Sequence, residues 1–102
     1  MQRYLYDTIV NDLKRKMVFI TGPRQVGKTV LAKSIQPKFE KTIYLNNDNM
    51  EDAKTIKNHI WPLNTNLIIL DEIHKMKSWK NYLKGTFDTR NANQTFLVTG
   101  SA

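Results

Sequence analysis

Apolar positions change period from one segment of the chain to the next, and that alternation predicts the elements. Leu5, Ile9 and Leu13 recur every four residues with Tyr6 and Val10 beside them, which predicts an amphipathic helix over about residues 3–14. Met17-Val18-Phe19-Ile20-Thr21 is a short apolar run that stops at Gly22-Pro23 and reads as a buried strand. From Thr29 to Gln36 the pattern becomes helical, with Val30, Leu31 and Ile35 on one side and Pro37 as the stop. Thr42-Ile43-Tyr44-Leu45 reads as a second strand, closed by Asn46-Asn47. Asp48 can cap a helix that runs to about Asn58, with Glu51 as its capping-box partner, and Pro62 ends the segment. The Asn64-Thr65-Asn66 turn leads into Leu67-Ile68-Ile69-Leu70-Asp71, the most strand-like run in the chain. Ser78 can cap a further helix with Trp79, Leu83 and Phe87 on its core face. Asn91-Ala92-Asn93 then turns the chain into a fourth strand, Thr95-Phe96-Leu97-Val98-Thr99.

Near-continuous apolar strands alternating with helices predict an α/β fold, a parallel sheet covered on both faces with right-handed crossovers. Ligands of such sheets bind at the carboxyl ends of the strands. The 102 residues fit one small domain with a thin core. There is no cysteine, so disulfides, a thiolate nucleophile and a cysteine-based zinc site are excluded. No apolar run approaches the roughly 20 residues of a membrane span, and Asp7, Asn11, Asp12 and Lys14 interrupt any signal core. A soluble, cytoplasmic protein without membrane contact is expected. The formal net charge of +7 adds less than it first promises, because twelve of the sixteen cations are lysines scattered along the chain. Scattered lysines fit a solvated surface or a nucleic-acid surface. The clusters Lys14-Arg15-Lys16 and Lys75/Lys77/Lys80/Lys84 are too sparse to decide.

The chemistry is concentrated at the predicted strand ends. Gly22-Pro23-Arg24-Gln25-Val26-Gly27-Lys28-Thr29 is G-x-x-x-x-G-K-T between a strand and a helix, the setting a phosphate-binding loop requires. Gly22 and Gly27 permit backbone angles closed to other residues. N–H groups from about Gln25 to Thr29 can then converge on phosphate oxygens, helped by the positive end of the following helix. Lys28 can reach the β- and γ-phosphates, and the Thr29 hydroxyl can ligate Mg²⁺. Arg24 is either solvated or in touch with phosphate or a neighbouring subunit.

Asp71 and Glu72 end the most apolar strand. Asp71 can hold the Mg²⁺ directly or through water, and Glu72 can polarise a water for attack on the γ-phosphate. Thr99 and Ser101, at the end of the fourth strand, can each orient that water or contact the γ-phosphate. The chain has no Asn-Lys-x-Asp base-reading motif of GTPases and no arginine-rich lid, so an ATP-hydrolysing switch or motor is expected. His59 and His74 read as surface or capping histidines, and Arg90 as a surface arginine.

Together these residues resemble the AAA-type P-loop ATPases of the branch with an extra strand between the loop strand and the acidic strand. Within that group the chain is similar to a prokaryotic family of standalone AAA-like ATPases that carry a C-terminal domain of unknown function. The likeness lies in the N-terminal helix, Thr21 to Thr29, Tyr44-Leu45-Asn46, Leu70-Asp71-Glu72-Ile73-His74-Lys75 and Thr99-Gly100-Ser101. The resemblance implies a three-layer domain with strand order 1-4-3-2, ATP and Mg²⁺ as ligands, and Thr99 or Ser101 as the sensor-1 residue. It also implies that Asn46 could hold Glu72 in an inactive pose.

Against that family, residues 1–102 match the N-terminal part of the ATPase domain, with a helix at about 3–14 and a core at 17–102. The fifth strand, the lid and the arginine finger are then missing, as in a fragment or a truncated copy. An arginine finger is worth about 10³–10⁵ in rate, so hydrolysis by this piece is expected to be slow or undetectable. The first strand would be a sheet edge, through which self-association is expected. Two other functions compete with this one. The first is a truncated basic module that binds nucleic acid or a partner without turnover. The second is a P-loop kinase-type phosphotransferase.

Overall fold

Four short apolar runs form one sheet because each is too hydrophobic to leave in water and too short for a helix of its own. In the computed structural model, residues 8–9, 11–13, 17–21 and 26–100 are described, with side chains at 8–9, 11–13, 17–20 and 30–100. The strands are β1 (Val18–Thr21), β2 (Thr42–Asn46), β3 (Leu67–Asp71) and β4 (Thr95–Gly100). All pairings are parallel, in the order β1-β4-β3-β2. The helices are α1 (Val26–Ile35), α2 (Met50–Lys57) and α3 (Trp79–Asp88), with 3₁₀ turns at Gln36–Lys38 and Ile73–Lys75. Residues 8–9 and 11–13 are helical, and the rest of the helix expected over residues 3–14 lies outside the described residues. The fold is therefore the parallel α/β sheet that the sequence pattern predicts, in the order 1-4-3-2 that the family resemblance implies.

Period-two alternation divides the core between the two sheet faces. Leu67, Ile69 and Leu97 point to one face, where Leu31, Ala32 and Ile35 of α1 pack with Ile9 and Leu13. Ile68, Leu70, Phe96 and Val98 point to the other, against Ile56 of α2 and Leu83 of α3. All five β3 residues are buried, as expected of a strand with a neighbour on each side and a layer on each face. Parallel β3 and β2 are joined through α2, and β3 and β4 through α3, so all four strands finish on the same side of the molecule. Among the described residues, no helix is long and apolar enough to cross a membrane.

Three local expectations are corrected. Asn49, not Asp48, caps α2: its side chain accepts from the Asp52 N–H at 3.0 Å. Asp48 is instead bound to Lys75, a partner 27 residues away that no local pattern reveals. Ser78 precedes α3 but makes no side-chain cap, because its backbone is left-handed at φ 59°. On α3, Trp79 and Leu83 join the core as expected, while Phe87 lies beneath the Arg90 guanidinium, 3.7 Å from its ring centroid.

Candidate functional site

The parallel register brings the polar strand ends into one row. Thr21 pairs with Gly100, Leu70 with Val98, and Asn46 with Asp71. Alternation then puts Asp71 and Thr99 on the same face as Ile69 and Leu97, the face covered by α1. Residues Gly22, Pro23, Arg24 and Gln25 of the expected phosphate loop, and Ser101, lie outside the described residues. Val26, Gly27, Lys28 and Thr29 form the first turn of α1. The helix that opens with Lys28 and Thr29 thus covers the face on which Asp71 ends its strand.

Asp71 is 1% exposed, and its two carboxylate oxygens accept from two hydroxyls. Thr99 Oγ1 donates to Oδ1. The Tyr44 phenol donates to Oδ2. Two donors on opposite oxygens fix the orientation of the carboxylate. Thr99 also accepts from the Glu72 backbone N–H at 3.3 Å, so one buried hydroxyl ties the two acidic residues together. Thr99 is completely buried, in keeping with a fixed role in this network.

Tyr44 was legible only as an apolar strand residue. The available signal was period: it lies two residues before Asn46, on the side of β2 that meets Asp71. Its ring also carries the Lys33 ammonium at 4.6 Å from the centroid, which links α1 to the same network.

Glu72 leaves the strand through a left-handed backbone, φ 58° and ψ 37°. A non-glycine residue in that region costs of order 1 kcal/mol and is held there by its surroundings. Among the described residues, Glu72 Oε1 is buried with no hydrogen-bond partner. Two nitrogen-bearing side chains face it, His74 Nε2 at 3.8 Å and Lys75 Nζ at 3.9 Å. The expected Asn46–Glu72 contact is not formed, because Asn46 Oδ1 accepts from the Asp48 N–H at 2.8 Å and closes the turn after β2. Gly100 lies under His74: a Cβ there would come within 3.2 Å of Nδ1 and 3.3 Å of Phe19 Cζ.

His59 and Arg90 stand away from this row. His59 stacks on Tyr82, and its Nε2 meets Thr86 Oγ1 at 2.7 Å. Among the described residues, no group of three or more His, Cys, Asp or Glu side chains is placed to hold a metal. A single buried carboxylate oriented by hydroxyls does suit a hard cation that takes most of its ligands from water and phosphate, as Mg²⁺ does. A carboxylate has about four lone-pair sites, so two hydroxyl bonds do not exhaust its capacity.

A parallel 1-4-3-2 sheet with an acidic central strand end defines a P-loop NTPase-like α/β domain. A family model described as an AAA domain matches residues 14–102, and the chain belongs to that family. Membership points to nucleotide binding in a P-loop-like fold, and in general terms to nucleotide and metal use. A search of curated proteins finds no match.

Proposed function

We propose that the chain binds ATP with Mg²⁺ across the carboxyl ends of its strands, and that it hydrolyses ATP only slowly without an arginine finger supplied from elsewhere. The observation that carries this reading is the pairing of Asp71 and Glu72 through the Thr99 hydroxyl, on the sheet face covered by α1. In this reading residues Gly22, Pro23, Arg24, Gln25, Val26 and Gly27 wrap the phosphates with backbone N–H groups, and Lys28 adds a point charge at the β- and γ-phosphates. Thr29 and Asp71 hold the Mg²⁺, which when bound neutralises charge on those phosphate oxygens. Tyr44 and Thr99 fix the Asp71 carboxylate that would hold it.

Glu72 acts as the base. Its Oε1 accepts a proton from water as the water oxygen bonds to the γ-phosphorus and the bond to the ADP oxygen breaks. Thr99 is committed to Asp71 and Glu72, so it acts by positioning them, and Ser101 is left as the residue to contact the γ-phosphate. Titration with a fluorescent ATP analogue tests the reading. Binding should be saturable and strengthened by Mg²⁺, and Lys28→Ala should weaken it about ten- to hundredfold, the worth of a charged hydrogen bond. Equal affinity in the variant would refute it.

A further inference from the structure

Glu72 Oε1 has a cation close by that does not bond to it. Lys75 Nζ stands 3.9 Å away, beyond hydrogen-bond range, although both groups are on one short turn. The reason is a competitor. Lys75 donates to both oxygens of Asp48, at 2.7 and 3.0 Å. Asp48 is itself held by its backbone, whose N–H donates to Asn46 Oδ1 at the end of β2. An exposed carboxylate thus restrains an ammonium that would otherwise face a buried one. Attraction to the buried carboxylate is the stronger of the two at equal distance, since less water screens it.

We propose that Asp48 holds Lys75 off Glu72 and so keeps Oε1 open to the attacking water. This rests on the reading of Glu72 as the base. Asp48 is a positioning residue, and Lys75 is the counter-ion it restrains. Without Asp48, Lys75 swings onto Oε1, occupies the lone pairs that would accept the water proton, and stops the step. His74, the other group facing Glu72, is unchanged in every variant below and cancels from the comparison.

The test is a pair of variants of the whole chain, read by single-turnover phosphate release from γ-labelled ATP with Mg²⁺. Asp48→Asn should slow release about tenfold or more, with the roughly 10²–10⁴-fold contribution of a general base as the upper bound. Adding Lys75→Met to it should recover most of the loss. Affinity for the fluorescent ATP analogue should be the same in all three proteins. A double variant no faster than Asp48→Asn overturns the proposal.

A second readout needs no turnover. In the Asp48→Asn background, Glu72→Gln should shift the Lys75 side-chain ammonium resonance in NMR well beyond the shift it causes in the wild type, where Asp48 holds the ammonium. A Lys75 resonance insensitive to Glu72→Gln in the Asp48→Asn background also overturns the proposal. Absence of phosphate release from every protein is what the lack of an arginine finger alone would give, and the resonance then decides the ion-pair exchange.

Discussion

The two ends of this sheet treat buried polar groups in opposite ways. Toward the amino ends of the strands, an aromatic cluster satisfies its polar atoms. The His59 ring stacks on Tyr82 with centroids 4.9 Å apart and meets Trp61 edge-on at 5.5 Å. Trp61 in turn meets Phe96 at 5.8 Å. Thr86 Oγ1 donates to the Tyr82 carbonyl at 2.8 Å, so its remaining role toward His59 is to accept from Nε2–H. The Tyr82 phenol donates to the Ile56 carbonyl. At the carboxyl ends, Asp71 accepts from two hydroxyls and keeps lone-pair capacity, while Glu72 is bent out of the strand with no hydrogen bond to Oε1 among the described residues. A buried polar network that is complete stabilises a fold, and one left open costs stability unless something else occupies it. Under the proposed function, the aromatic end is scaffold and the acidic end is reserved for a ligand.

The sharpest way to break that division is Glu72→Gln. It should lower single-turnover hydrolysis by about 10²–10⁴-fold, the usual contribution of a general base, with nucleotide affinity retained. Phe96→Ala should do the reverse. Truncating an aromatic that is 1% exposed should cost about 3–5 kcal/mol in denaturant unfolding, with little change in nucleotide affinity of the folded protein. If both substitutions damaged stability alone, the acidic end would be scaffold as well.

Tyr82 gives a smaller effect with a pH signature. Burial raises its pKa to about 12, with the Thr86 side chain pulling the other way. The folded state therefore keeps the proton longer than the unfolded chain. The stability this provides is whole below about pH 10 and is lost as pH rises toward 12. Tyr82→Phe should cost about 1 kcal/mol at neutral pH and flatten that alkaline loss in denaturant titrations.

His59 should give the smallest effect, with the opposite sign. Burial lowers its pKa from 6.5, so the fold favours the neutral ring. Its contribution is whole above that value and declines as pH falls through it. Wild type should lose more stability than His59→Gln between about pH 8 and pH 5, and equal losses would remove His59 from the scaffold account.

Most of the architecture was legible because it depends on periodicity, and the strand runs are long enough to show it. The Leu67-to-Asp71 run predicts its strand to the residue. The meeting of Asp71 with Thr99 follows from parallel strands ending together. What escaped the sequence was long-range. Tyr44 reaches Asp71 and Lys75 reaches Asp48, each across 27 residues. Asp48 and Asn49 are equally good caps by composition, and the tertiary partner of Asp48 decides between them. Ser78 fails as a cap and Glu72 leaves its strand through left-handed backbone angles that neither residue type announces. The turn after β2 takes Asn46 away from Glu72, which removes the contact the family resemblance implied.

The most direct test of the division between the two ends is backbone-amide NMR of the chain during titration with Mg²⁺ and a non-hydrolysable ATP analogue. The account predicts shifts at Lys28, Thr29, Glu72 and Gly100, with Trp61, Thr86 and Arg90 unmoved. Shifts centred on Trp61 and Arg90, or none at all at saturating analogue, would contradict it.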